Sequence, residues 1–422
     1  MTFGKILKQG VFLSACLASG IASAQSSVKL SKVPVDDTLG EKIRANLGNA
    51  GYGTRVDGSI AQTVPVSSDA PKAISPDTMS RVELPTGESF NAIDLPRSYT
   101  VNRIYFKSYG AAGTVSVSTS LTKLEPGDPN WVELFPPAEF GSSGVFDQEF
   151  PVQVGKHLLF KFEITIPGAV SPFGIKGNEF INRTASRPPT AAELDELTEE
   201  EKSNLVPYDF SSLVNGSRIT MISSGDSESA NLMIDDDITT FYQFNEDDPS
   251  STLLLDLTQN YRVNSLGLTM DAGIGEIEVY TFDILPSALA AAALEGAEGT
   301  GEVQLDAEFF ASVFPLVTQS FDEAVENVAF DLGEVDTQYA LVRWIPSPDV
   351  PPGSQPGLKI YEIKLIGMIP SNLTLDLLSS AEFFQEAFDG GGAAPTPPPA
   401  AGSPPDSGEI IQPAPPPTPN PG

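Results

Sequence analysis

The residues best placed to do chemistry lie in one short run, Ile234-Asp235-Asp236-Asp237-Ile238-Thr239-Thr240. Hard cations take several oxygen ligands, and a turn that bends the Asp235 and Asp237 carboxylates, the Thr240 hydroxyl and backbone carbonyls inward can supply them to calcium. The same residues equally describe an acidic surface turn capped by its own side chains. Other chemistry is sparse. The single histidine, His157, opens an apolar strand and is read as structural rather than as a general base. Glu276 and Glu278 would share a strand face, as any solvent-facing pair does, so their spacing does not mark the acid pair of a glycosidase. No serine elbow, phosphate loop or histidine metal motif occurs, and catalysis is not expected. Cys16 is the only cysteine.

The elements that must position these residues read as β-strands in two copies of one unit. Residues 253–268 (LLLDLTQNYRVNSLGL) match residues 90–106 at a constant offset of 162: Ile93-Asp94-Leu95 with Leu255-Asp256-Leu257, Tyr99 with Tyr261, and Val101-Asn102 with Val263-Asn264. In each copy an apolar strand meets a polar three-residue turn (Pro96-Arg97-Ser98 or Thr258-Gln259-Asn260) and a second strand whose alternation shifts phase at the same place. A shared phase shift predicts a β-bulge or a strand changing sheets. Later, 157–162 matches 339–344 at an offset of 182, and the extra length falls in the Ala-rich stretch 287–301, expected to be a helical insertion in a loop.

This divides the chain into a signal peptide (1–24), a lead-in with a short helix at 37–47 (25–52), a first β-sandwich (53–181), a charged helical linker (182–216) and a second β-sandwich (217–369). A short helix (370–388) and a Pro-rich tail (389–422) follow. The first sandwich is expected to hold strands at 92–95, 99–106, 114–118 and 157–166. In the second they fall at 218–222, 251–257, 261–269, 274–282, 324–331, 339–345 and 358–365. The N-terminus carries Lys5 and Lys8, a short apolar run and Ala22-Ser23-Ala24 before Gln25, the form of an export signal. An extracytoplasmic protein is expected: secreted, periplasmic or at the cell surface. Anchoring as a lipoprotein through Cys16 in Leu13-Ser14-Ala15-Cys16 is the alternative. The tail is expected to be disordered with polyproline II character.

Charge is unevenly placed. Residues 217–369 hold 5 Lys/Arg against 26 Asp/Glu, and residues 53–181 hold 10 against 14, in a chain of formal charge -32. Such a surface repels nucleic acid and anionic membranes. Divalent cations, neutral glycans and basic proteins remain as partners, and solubility in salt is the plainest account of the excess.

In sequence order, five blocks of the second copy carry a family likeness: Ser223-Ser224; Ile234 to Tyr242; Leu255-Asp256-Leu257 with Tyr261 and Val263; Tyr339 to Trp344; and Tyr361-Glu362-Ile363 closing on Gly367. Together they resemble a discoidin domain, the coagulation-factor C-type module similar to family 32 carbohydrate-binding modules. The first copy resembles it mainly through the second, with Ile74-Ser75-Pro76-Asp77 in the acidic-turn region. The resemblance implies an all-β chain of two tandem galactose-binding-like jelly-roll sandwiches. It also implies that Glu362 completes a structural calcium site with Asp235, Asp237 and Thr240. Asp236 stands where the family uses Gly, and Tyr242 where it uses a core Trp. Ligands in the family bind at loops on one end of the sandwich. Here the loop is 243–250, where Phe244 would offer a stacking face and Asn245 and Glu246 hydrogen bonds, unless Phe244 is a rim residue over the core. The function implied is non-catalytic binding of a glycan or cell-surface polysaccharide. The alternative is a structural protein contacting other envelope proteins, and a glycan-active enzyme comes third.

Overall fold

A computed structural model describes residues 27–35, 44–56, 72–177, 187–294, 301–350 and 357–371. The expected export signal, most of the expected helix at 37–47, the helix expected within 370–388 and the Pro-rich tail lie outside the described residues. Within them, no helix is long and apolar enough to cross a membrane.

The chain is all-β. In order, the strands are β1 (Val28–Lys32), β2 (Arg55–Val56), β3 (Val82–Leu84), β4 (Gly87–Tyr109), β5 (Ala112–Ser120), β6 (Val132–Phe140), β7 (Ser143–Ile166), β8 (Gly168–Val170) and β9 (Gly174–Lys176). They continue as β10 (Leu205–Asp209), β11 (Arg218–Ile222), β12 (Tyr242–Gln243), β13 (Ser251–Ala272), β14 (Gly275–Phe282), β15 (Glu302–Leu305), β16 (Val317–Phe321), β17 (Val325–Pro346) and β18 (Lys359–Pro370).

Two long antiparallel pairs organise everything, β4 with β7 and β13 with β17. Each ladder is interrupted, between Asp94 and Tyr99 in β4 and between Asp256 and Tyr261 in β13, and again at Val101/Arg103 and Val263/Ser265. These are the same positions at the offset of 162. The polar segments expected to be turns are therefore corners within continuous strands, where the pair bends from one layer of the sandwich into the other. On one side of the corner β7 carries β5 and then β6; on the other β4 carries β8 and β9. In the second copy β17 carries β14 and then β16 on one side, and β13 carries β18 on the other. His157 lies opposite Asp94 and Tyr339 opposite Asp256, so the offset of 182 holds in space as well.

Two segments fall outside their expected units. β1, placed in the lead-in, pairs with β11 and β15, and β10, placed in the linker, pairs with β18. β1 joins the second sandwich because its sheet has apolar outer surface to cover, whereas β10 adds Tyr208 to the main core. Leu253, Leu255 and Leu257 point into the main core, whereas Leu254 points outward into a second cluster with Leu30, Leu289 and Leu341. A strand buried on both faces reads as a continuous apolar run, as 253–255 does. The insertion supplies Leu289 from helix Ser287–Leu294, so its role is to roof this outer face. In place of one linker helix there are two one-turn helices, Ala191–Asp195 and Glu199–Lys202. Each begins with a reciprocal Thr/Glu capping box, which satisfies the free N–H groups of a helix start.

At the second corner Thr258 adopts φ 67°. A β-branched residue in left-handed backbone is strained, whereas Asn tolerates that region. Thr258→Asn is expected to stabilise the chain by about 0.5–1 kcal/mol, read as a higher urea midpoint at unchanged slope; a lower midpoint would place the strain elsewhere.

Candidate binding site at the seam between the sandwiches

The acidic turn is built at the end of a 3-10 helix, Ser227–Ile234, started by the Asp226 side chain accepting from Glu228 N. Asp236 takes φ 58°, so aspartate stands where glycine would be the easier residue. The expected ligand set does converge. Thr240 Oγ1 lies 3.0 Å from Asp235 Oδ2, and the Asp237 N–H is shared between Asp235 Oδ1 at 3.0 Å and Glu362 Oε2 at 3.1 Å.

The turn is not a surface feature: Asp235, Asp236 and Asp237 are all buried, and Glu362 is fully so. Burial of charge demands partners, and the protein provides three cations. Arg103 donates to Asp237 Oδ2 and to Thr239 Oγ1, both at 2.7 Å, and also pairs with Asp147. Lys176 Nζ donates to Asp235 O at 3.1 Å and to Arg44 O at 3.0 Å. Lys364 Nζ sits 2.6 Å from Asp236 Oδ1, 3.1 Å from Asp209 Oδ2 and 3.9 Å from Glu362 Oε1. Asp209, Asp236 and Glu362 are also the buried trio whose oxygens converge closely enough for one ion. The ammonium of Lys364 hydrogen-bonds Asp236 and Asp209 of that trio and leaves Glu362 Oε1 without a hydrogen-bond partner. Tyr105, from the first sandwich, completes the enclosure by donating its hydroxyl to Asp236 O.

The residues do not fit calcium as expected. Asp235 oxygens are engaged by Thr240 and the Asp237 N–H, those of Asp237 by Thr239 and Arg103, and Glu362 Oε2 by the Asp237 N–H. Lys364, Lys176 and Arg103 supply the positive charge. Asp209, Asp236, Lys364, Lys176, Arg103 and Tyr105 were all missed from sequence. Asp236 was visible in the motif but read only as a turn residue, and the others lie on strands whose proximity no local pattern encodes.

Burial raises the Asp235 carboxyl to about 7 despite Lys176 nearby. Glu362 and Asp209 are pushed up for the same reason. For Asp236 burial also pulls upward, but Lys364, Lys176 and the hydrogen bonds outweigh it and hold the carboxyl below the usual range. Asp237 behaves likewise, with Lys176, Thr239 and Arg103 prevailing.

At the loop end the second reading of Phe244, a residue over the core, is the one the structure shows, and the stacking face for a ligand is not. The Phe244 ring is 1% exposed and packs edge-on against buried Tyr242, which is core as expected. An apolar ring in this short loop covers the sandwich end, and no face is left for a ligand. Asn245 and Glu246 are exposed. They border an open depression of about 610 Å³ with Asp226, Gln243 and Asp247. Asp226 also lines a larger cleft of about 680 Å³ between the sandwiches, whose other walls include Asn102, Glu149, Lys176, Glu228 and Asn231. A small cavity of about 60 Å³ lies in the seam, beside Thr78, Tyr105, Asp236, Glu362 and Lys364.

The remaining candidates lie away from the turn and pair with neighbouring side chains. His157 Nδ1 lies 2.6 Å from Asp94 Oδ1, across the first corner. Glu278 accepts from Tyr280 and from Arg343, itself 1% exposed, while Glu276 accepts from Ser320 on the neighbouring strand.

No protein-family model matches this chain, and no curated protein does. Among solved structures it is similar to the allantoicase of Saccharomyces cerevisiae (11% identity over 80% of this chain and 99% of that one, TM-score 0.27). It is also similar to a fucolectin from striped bass serum (12%, 78% and 99%, TM-score 0.25). A third is a chitosan-binding module from a Paenibacillus chitosanase/glucanase (16%, 32% and 99%, TM-score 0.26).

Two measurements follow from the turn. Unfolded Asp titrates near about 3.9 and folded Asp235 near 7, so its stabilising contribution is full below the first value and lost as pH rises through the second. The depressed carboxyls Asp236 and Asp237 act oppositely, weakening the fold only as pH falls below their unfolded values. From pH 5 to pH 8, Asp235→Asn should therefore gain about 1–3 kcal/mol on the wild type in urea unfolding; a difference between the two that stays constant over that range would mean that Asp235 is buried charged. Adding millimolar calcium should leave the melting temperature within about 1 °C, since a ligand stabilises only what it binds. A rise of several degrees abolished by Asp235→Ala would return calcium to the turn.

Proposed function

We propose that this chain is a non-catalytic carbohydrate-binding protein that works outside the cytoplasm. The observation that carries this reading is the polar groove formed where the loop-end depression and the seam cleft meet at Asp226. Amides and carboxylates on its walls, Asn102, Gln243, Asn245, Glu228 and Asp247 among them, are the groups that hydrogen-bond sugar hydroxyls. The two volumes end to end suit an extended oligosaccharide rather than one ring. Acids outnumber cations along the walls, and Arg103 and Lys176 are committed to the turn. The ligand is therefore neutral or basic rather than a sulfated or uronic acid polymer. Export is supported by the form of residues 1–24. A binding rather than a catalytic role is supported by His157 and Glu278 both lying off the groove walls.

A glycan array probed with the full chain is the direct test. Neutral or amino-sugar oligosaccharides should bind, and Asn102→Ala with Gln243→Ala should weaken binding at least about tenfold, the loss expected when hydrogen bonds worth roughly 1–2 kcal/mol are removed, with melting unchanged. Absence of any glycan hit, or a hit indifferent to both substitutions, would overturn the proposal.

A further inference from the structure

We infer that the two sandwiches dock as an isologous pair about a pseudo-two-fold axis, each laying the outer face of its repeated strand on the acidic-turn region of the other. The surface is an interface, and its partner is the sister module within the same chain.

The contacts are reciprocal. From the first copy, β4 presents Arg103 to Asp237 and Thr239, and Tyr105 to Asp236 O. Further along the same face, Lys107 pairs with Glu326 at 2.9 Å. From the second copy, the position 162 residues after Tyr105 is Gly267, and what covers it is Thr78. A Cβ at Gly267 would lie 2.5 Å from Thr78 Oγ1. Thr78 belongs to the first copy's counterpart of the acidic turn, since Asp77-Thr78 follow Ile74 as Asp237-Ile238 follow Ile234. Strand one meets turn two and strand two meets turn one, the relation that a two-fold operator imposes.

The register agrees. Tyr105 pairs with Gly174 on β9, and Gly267 pairs with Lys364 on β18, so equivalent strands flank the seam in both copies. Each pair contains one glycine. In the first copy the Tyr105 ring lies over Gly174, where an added Cβ would meet the ring at 2.0 Å. In the second copy the glycine sits on the other strand, making room for Thr78. The small cavity is lined from both sides, by Pro76, Asp77 and Thr78 of one turn and by Asp236 and Ile238 of the other. That is where the axis passes.

The arrangement gives the first copy a role that does not depend on binding a ligand. It supplies Arg103, Lys176 and Tyr105 to a turn that the second copy buries but does not neutralise alone.

The test is a cross-link in the full chain carrying Cys16→Ser. A Cβ added at Gly267 would stand 3.3 Å from Thr78 Cβ, near the separation a disulfide spans. Thr78→Cys with Gly267→Cys, and a protease site placed within residues 178–186, should after oxidation and cleavage run as one band on a non-reducing SDS gel and as two after reduction. Two bands without reduction, from protein that melts like wild type, would overturn the inference. Should that pair fail to fold, the other half of the symmetry is read by Arg103→Gln, Asp237→Asn and their combination. Each single change should lower the melting temperature by several degrees, and the double variant should lose no more than the worse single one. Additive losses would show that the two side chains do not meet and would equally overturn the docking.

Discussion

Everything in this molecule depends on how buried carboxylates are neutralised at the seam. Taking a single ion out of water costs several kcal/mol in real proteins, and Asp209, Asp235, Asp236, Asp237 and Glu362 are all withdrawn from solvent together. Lys364 offsets part of that cost from inside the second sandwich. Arg103 and Lys176 must come from the first. Burial also raises the proton affinity of Asp235, Glu362 and Asp209, while Asp236 and Asp237, nearest the cations, remain ionised. Charge at the seam is thus balanced by placement and by protonation at once.

That constraint redirects function. The acids of the turn are engaged by Lys364, Arg103, Thr239 and Thr240, and the cleft between the sandwiches runs along it with Asp235 and Asp237 on its wall. The cleft between the sandwiches and the loop-end depression share Asp226, the residue that starts the helix leading into the turn. Positioning of the groove walls and neutralisation of the turn are therefore one structural problem, and the groove is defined only when both copies are in place.

The duplicated unit shows how one backbone carries two burdens. Both copies keep the same interrupted ladder and the same order of strands around the corner. The sequences diverge where the copies touch: Tyr105 against Gly267 on equivalent strand positions, and Ser75-Pro76 against Asp235-Asp236 in equivalent turns. Bulk on one side is matched by a missing side chain on the other, and acid on one side by base on the other. Two identical copies would bring like charges and like bulk together at the axis.

Period-two alternation, a repeat at fixed offset and a shared phase shift determined the all-β class, the duplication and the position of the corners, because those properties are written in residues close together in the chain. The convergence of Asp235, Asp237 and Thr240 was local in the same sense. The tertiary structure alone decided that the turn is buried, that Lys364, Lys176 and Arg103 stand in for the expected cation, that the Phe244 ring points inward, and that β1 and β10 belong to the second sandwich. Each of these turns on which distant strands share a sheet or a seam. The reason is electrostatic and geometric: a carboxylate in a motif looks the same whether water, metal or lysine faces it, and what faces it is set by residues more than a hundred positions away.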